Sequence, residues 1–242
     1  MKLINKISLL LACALLAACS TSQPIRNMAA NPVAFTLTED QVASAIITAG
    51  ISKSWVMKKE KPGLIRGQVN VRQHQAVIDI PYSARDYSIN YVSSVNLDDK
   101  GKGSIHRSYN RWVLGLNQAI QTELARALAE LLYNLYQLKK PTLAVVQGAV
   151  FGGGVGLVSC CDMAIGADNA QFSLSEVRIG LAPATISPFV VKAIGERAAR
   201  RFSLTAERVD GHKAAQLGLL SEAYPAEELE AQADSWIANL LL

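Results

Sequence analysis

The run Gln147-Gly148-Ala149-Val150-Phe151-Gly152-Gly153-Gly154-Val155-Gly156-Leu157 joins a short apolar strand, Thr142 to Val146, to a helix predicted over Val155 to Cys161. A strand that turns through glycine into a helix start leaves backbone N–H groups free at the positive helix end. With no side chain in the way, an anion or a developing oxyanion can come close to them. Two other glycine-rich sites do not fit. A P-loop ends in Gly-Lys-Ser/Thr, and no lysine lies between Lys140 and Lys192; the dinucleotide turn needs G-x-G-x-x-G, whereas Gly152, Gly154 and Gly156 give G-x-G-x-G. Taken alone, the run also fits close packing of helix on strand. Ser173, Ser175 and Ser187 have no histidine placed by a motif to activate them, which argues against a serine triad. His74 and His106 lack metal-ligand spacing, so a solvated turn and helix start account for them and no metal is expected.

The elements that must position this turn belong to a globular chain. Half of the 242 residues are hydrophobic and 18% are charged, enough for one large domain or two small ones. The net charge of +4 is dispersed, with adjacent pairs such as Lys58-Lys59 and Arg200-Arg201 and without aromatic–basic interleaving, so nucleic acid is not an expected partner. Thr38-Glu39-Asp40-Gln41 is a capping box before Val42, Ala45, Ile46 and Ala49 at helical spacing. Strands are predicted over Leu64 to Arg72, Ala76 to Tyr82 and Tyr87 to Ser93, with short turns between them. A helix then opens near Ser108 with Trp112, Leu116 and Ile120 along one face. Residues 34–124 thus read as a small α+β domain with an antiparallel meander. It is similar to the small domains of uncharacterised bacterial lipoproteins, most closely at Tyr87-Ser88-Ile89-Asn90-Tyr91 and Ile105 to Trp112.

From Ala125 to Leu138 the chain is a strong helix, stopped at Pro141. Beyond the glycine turn come Cys161-Asp162-Met163-Ala164-Ile165-Gly166-Ala167, Ala170-Gln171-Phe172-Ser173-Leu174-Ser175-Glu176 and Ile179-Gly180-Leu181-Ala182-Pro183. Gly195-Glu196-Arg197-Ala198-Ala199-Arg200, Leu204-Thr205-Ala206-Glu207-Arg208 and Ala214-Ala215-Gln216-Leu217-Gly218-Leu219-Leu220 follow. In order and spacing, residues 125–242 resemble the crotonase, or enoyl-CoA hydratase, superfamily, most closely the branch that hydrates 3-methylglutaconyl-CoA and related branched esters. The fold class expected is therefore α/β, a partial crotonase-like β-β-α spiral preceded by the small α+β domain.

The resemblance implies an acyl-CoA thioester as substrate and no separate cofactor. It gives Gly153 as an oxyanion donor, Gly152 and Gly154 as its substrate-binding neighbours, and Glu176 as general acid/base. A second catalytic glutamate of typical hydratases falls at Gly156, which carries no side chain; the branch resembled shares this glycine. The family's amino-terminal half would precede Ala125, and residues 34–123 do not resemble it. Leu143 to Val146 and the helix Val155 to Cys161 are then expected to expose apolar faces open to self-association, unless other residues cover them.

The amino terminus points elsewhere. Lys2 and Lys6 precede the apolar stretch Ile7 to Ala18, too short to span a bilayer, and Leu16-Ala17-Ala18-Cys19 resembles the lipobox of bacterial lipoproteins. Residues 1–19 read as a signal, Cys19 as the lipidated residue that anchors the chain to a membrane, and the polar residues 20–33 as a tether. Ser20 resembles the outer-membrane-sorted form. Of the four cysteines, adjacent Cys160 and Cys161 suit a reducing compartment, where CoA esters occur. The sequence leaves two alternatives to an active hydratase: an envelope lipoprotein whose crotonase-like segment is inert, and a chimeric chain.

Overall fold

The computed structural model describes residues 21–33, 37–99 and 103–241. Lys2, Lys6, the apolar stretch and Cys19 lie outside these residues. The chain divides into two units, Met1–Pro32 with Glu39–Glu123, and Val33–Thr38 with Leu124–Leu242.

In the first unit the alternation of Ile65, Gly67 and Val69, of Ala76, Ile78 and Ile80, and of Tyr87 and Ile89 builds one buried sheet face. The strands carrying it are β4 (Leu64–Val71), β5 (His74–Pro81) and β6 (Asp86–Val95), paired antiparallel, with a preceding helix α1 (Glu39–Ser52). The meander extends further than expected on both sides. At one edge, β3 (Trp55–Lys61) pairs with β4. Its Lys58, Lys59 and Lys61 mark a charged outer strand, a composition that blunts edge pairing while hiding the strand from an alternation search. At the other edge, β2 (Met28–Pro32) pairs with β6. A short strand β1 (Ser22–Pro24) pairs with β7 (Ser104–His106).

Residues 21–33 are thus strands and their connection, a correction to the irregular tether. Their polar sequence lacks periodicity because side-chain hydrogen bonds help to fix them. The Arg26 N–H donates to Asn110 Oδ1 at 3.1 Å, and Asn27 Oδ1 accepts from the Tyr91 N–H at 2.9 Å.

Helix α2 (Arg107–Tyr136) is one element of 30 residues, where two adjoining helices are expected. Its residues up to Glu123 belong to the first unit and those from Leu124 to the second. In the first unit its inward stripe is Tyr109, Val113, Leu116 and Ile120, all fully buried, and Trp112 lies half-buried beside it. Asn117 and Gln121 satisfy the buried phenol of Tyr87: Tyr87 Oη donates to Asn117 Oδ1 at 2.7 Å and accepts from Gln121 Nε2 at 2.8 Å. Burial pushes that phenol up to about 12. His74 Nδ1 meets the Asn96 carbonyl at 2.6 Å, and His106 Nδ1 accepts from the Ser108 N–H. Among the described residues, no three His, Cys, Asp or Glu are grouped to hold a metal.

The second unit repeats a strand–strand–helix pattern. Strands β8 (Leu143–Val146) and β9 (Ala149–Phe151) lead into α3 (Gly153–Cys160); β10 (Met163–Ala167) and β11 (Gln171–Ser173) lead into a 3-10 turn at Glu176–Ile179. The repeats stack in parallel, Leu143 with Met163 and Ala149 with Gln171. Helices α4 (Ser187–Thr205), α5 (Gly211–Leu217) and α6 (Leu229–Leu240) follow, with β12 (Glu222–Tyr224) between the last two on the far edge of β10. The core of the unit includes Leu128, Leu132, Val155, Ile165, Phe172, Ile186 and Leu220. Helix α3 is not the exposed apolar face expected of it: Val155, Gly156, Val158 and Cys160 are buried. The edge strand β8 does present Val145, 45% exposed, beside an open groove that Leu157 and Val150 also line. No described helix is long and apolar enough to cross a membrane. Cys160 and Cys161 are free thiols, the first pushed up to about 12 by burial.

Candidate active site

Strand β9 delivers the chain to Gly152, whose backbone has φ 51 and ψ −117. That conformation is closed to residues with a Cβ, and it turns the chain from strand to helix within one residue. The Gly152 N–H donates to the Ser173 carbonyl of the neighbouring strand at 3.0 Å. The Gly152 carbonyl accepts from the N–H groups of Val155 at 2.9 Å and Gly156 at 3.3 Å, which starts α3. The N–H groups of Gly153 and Gly154 stand in the first turn, where no helix carbonyl can reach them. They carry the positive end of the helix dipole.

Glu176 opens the 3-10 turn that follows β11, and the parallel pairing of β9 with β11 brings it back to Gly152. A Cβ on Gly152 would lie 3.0 Å from Glu176 Oε1 and 3.5 Å from its Cδ. The glutamate is only 8% exposed, and its Oε2 is buried without a hydrogen-bond partner. Burial holds the carboxyl above its ordinary value, partly offset by a hydrogen bond from its own N–H. A carboxyl of this kind takes up and gives back a proton closer to neutral pH than a solvated one.

One carbonyl anchors the loop. Ala206, left-handed at the end of α4, accepts from Ser173 Oγ at 3.1 Å and from Arg178 Nη2 at 2.9 Å. Two of the three hydroxyls set aside in the sequence are structural: Ser173 is held as described, and Ser187 Oγ donates to the Pro183 carbonyl at 2.7 Å.

Gly152, Gly153, Gly154 and Glu176 are therefore brought together, and Cys19 lies outside the described residues. Gly156 lies one helical turn beyond Gly152. A Cβ there would come 2.5 Å from Ile186 Cγ2 and 2.9 Å from Ile186 Cβ, so Ile186 fills the space above it. Two neighbours carry no signal in the sequence. Ile186 is one; the other is Arg208, whose guanidinium stands 5.1 Å from the Phe151 ring beside the glycine turn.

A buried carboxyl thus stands against a glycine turn at a helix start, on stacked parallel strands, with the first-turn N–H groups of the helix beside it. Residues 113–242, more than half of the chain, match the model of the enoyl-CoA hydratase/isomerase family, and the chain belongs to that family. It is 40% identical over 111 residues to the enoyl-CoA hydratase ACTT6 of Alternaria alternata, covering 46% of this chain and 37% of that one. It is 33% identical over 137 residues to the hydroxycinnamoyl-CoA hydratase-lyase of Pseudomonas fluorescens, covering 56% and 50%. Among solved structures, Pseudomonas aeruginosa AtuE is similar at 39% identity and a TM-score of 0.50, over 54% of this chain and 52% of that one. The chain spans half or less of the length of these two sequence relatives.

Proposed function

We propose that the second unit binds an acyl-CoA thioester and hydrates a branched enoyl-CoA of the methylglutaconyl type. One observation carries the reading: the buried Glu176 carboxyl lies against Gly152 at the start of α3. The thioester oxygen accepts from the Gly153 N–H. Glu176 takes a proton from water as the water oxygen bonds to the β-carbon, and the carbon–carbon π electrons move into the thioester as an enolate. The Gly153 N–H stabilises that charge. Glu176 then returns its proton to the α-carbon and the enolate collapses, so that one water is added and the carboxylate is regenerated. A single carboxyl serves both steps, in keeping with glycine at position 156. Family membership and relatives named as hydratases of CoA esters support the class of chemistry; the branched substrate rests on the sequence resemblance.

The test is amide hydrogen exchange on the full chain with and without a branched enoyl-CoA. Ligand-dependent protection is expected across Val150 to Leu157 and around Glu176. Exchange unchanged by the thioester at both places would sink the reading.

The basic start, the apolar stretch and Leu16-Ala17-Ala18-Cys19 support attachment of the same chain to a membrane through acylated Cys19. Mass spectrometry of the chain extracted from bacterial membranes is expected to find Cys19 at the new amino terminus, carrying lipid. An unprocessed terminus with a free thiol would overturn it.

A further inference from the structure

Ile186 is 2% exposed and sits where the chain enters α4. Its side chain has two neighbours of functional interest. On one side it fills the space over Gly156, one helical turn from the Gly152 that abuts Glu176. On the other it lines a groove with Leu174, Pro183 and Val190, and Leu174 lies two residues before Glu176. Ile186 thus stands between Gly156 and the groove, whose lining also includes Ser187, Ser203, Glu196 and Arg200. The Ile186 side chain itself has no group to hold a second water or a hydroxyl. It offers dispersion contact and water exclusion to an apolar group.

We propose that Ile186 sets which acyl groups the Glu176 site accepts, its branched side chain limiting the site to short, branched acyl groups and closing it off from the groove behind. This rests on the thioester reading of the site. Trimming Ile186 to alanine removes the partition and joins the groove to the site, so longer hydrocarbon chains gain room. A methylene more or less in an apolar pocket changes discrimination by roughly 10–200-fold, and three carbons are removed here.

The experiment measures dissociation constants of two non-reacting thioesters, isovaleryl-CoA and octanoyl-CoA, by calorimetry on the full chain and its Ile186→Ala and Ile186→Val variants. The parent chain is expected to favour isovaleryl-CoA. Ile186→Ala is expected to shift the ratio of the two constants towards octanoyl-CoA by about tenfold or more, and Ile186→Val by less. A merely structural role would weaken both ligands by the same factor and leave the ratio where it was. An unchanged ratio in a variant that still binds both ligands overturns the role of Ile186 and leaves the thioester site standing. A parent chain that binds neither thioester overturns the site itself, and this inference with it.

A thermal-melt cycle checks the geometry independently of any ligand. Gly156→Ala should lower Tm in the parent chain, despite the better helix propensity of alanine, and should do so less in the Ile186→Ala background, where the Cγ2 contact is gone and the Cβ contact at 2.9 Å remains. Equal penalties in both backgrounds would mean that Ile186 does not occupy that space, and the proposal would fall.

Discussion

Glu176→Gln is expected to lower enoyl-CoA hydration by about 10²–10⁴-fold while leaving thioester affinity close to that of the parent. Glutamine keeps the shape of the side chain and removes the proton that the α-carbon receives, so binding and chemistry separate. A variant that hydrates at the parent rate would remove Glu176 from the mechanism. The same substitution should register in stability, with a definite sign. Burial raises the Glu176 carboxyl above its ordinary value of 4.5, so the folded chain holds this proton to higher pH than the unfolded chain does. Stability linked to it is fully present below pH 4.5 and is lost as pH rises through the raised value. Glutamine does not titrate. Chemical denaturation as a function of pH should therefore show the variant gaining on the parent above the ordinary carboxyl range and then levelling off. A stability difference independent of pH would mean that the carboxyl is solvated in the folded state.

Gly152→Ala should cost about 1–3 kcal/mol of stability, because alanine has to hold a backbone conformation reserved for glycine. The φ of 51 is only part of the effect. The added methyl would sit 3.0 Å from Glu176 Oε1, so the carboxyl must move out of its buried position. Hydration and thioester-dependent protection are expected to fall together with Tm. Gly154→Ala is the control: its φ is not positive, and its Cβ meets only Val150 Cγ1, at 3.2 Å. If the two variants melt together and keep equal activity, neither the strain nor the contact with Glu176 matters.

The parts of this fold that are legible in the sequence are those whose cause is local. The glycine turn between β8 and α3 is marked by its own residues, and β4 to β6 by alternation that follows directly from burial of one sheet face. Strand β3 escapes because its outer positions are lysines and a glutamate, the composition of a protected edge rather than of a core. Strands β1 and β2 escape because main-chain pairing and the side chains of Asn27 and Asn110 hold them, and neither leaves a period in the sequence. Within the site, nothing in the spacing brings Glu176 to Gly152. That meeting depends on parallel pairing of β9 with β11, and family resemblance was the only route to it. The contact of Ile186 with Gly156 is more distant still, an apolar residue at a helix entry whose partner lies 30 positions earlier, as the two residue numbers show.

The Ala206 carbonyl gathers Ser173 and Arg178 at one point. Strand β11 and the turn bearing the carboxyl are thereby fastened to the end of α4, on a backbone kept left-handed at φ 48. The loop is not a hinge that can open alone: releasing it means giving up two donors and unwinding the helix terminus that presents their acceptor. The Glu176 carboxyl is thus rooted in the cooperative body of the unit. A side chain mounted in this way keeps its aim until the helix end itself melts.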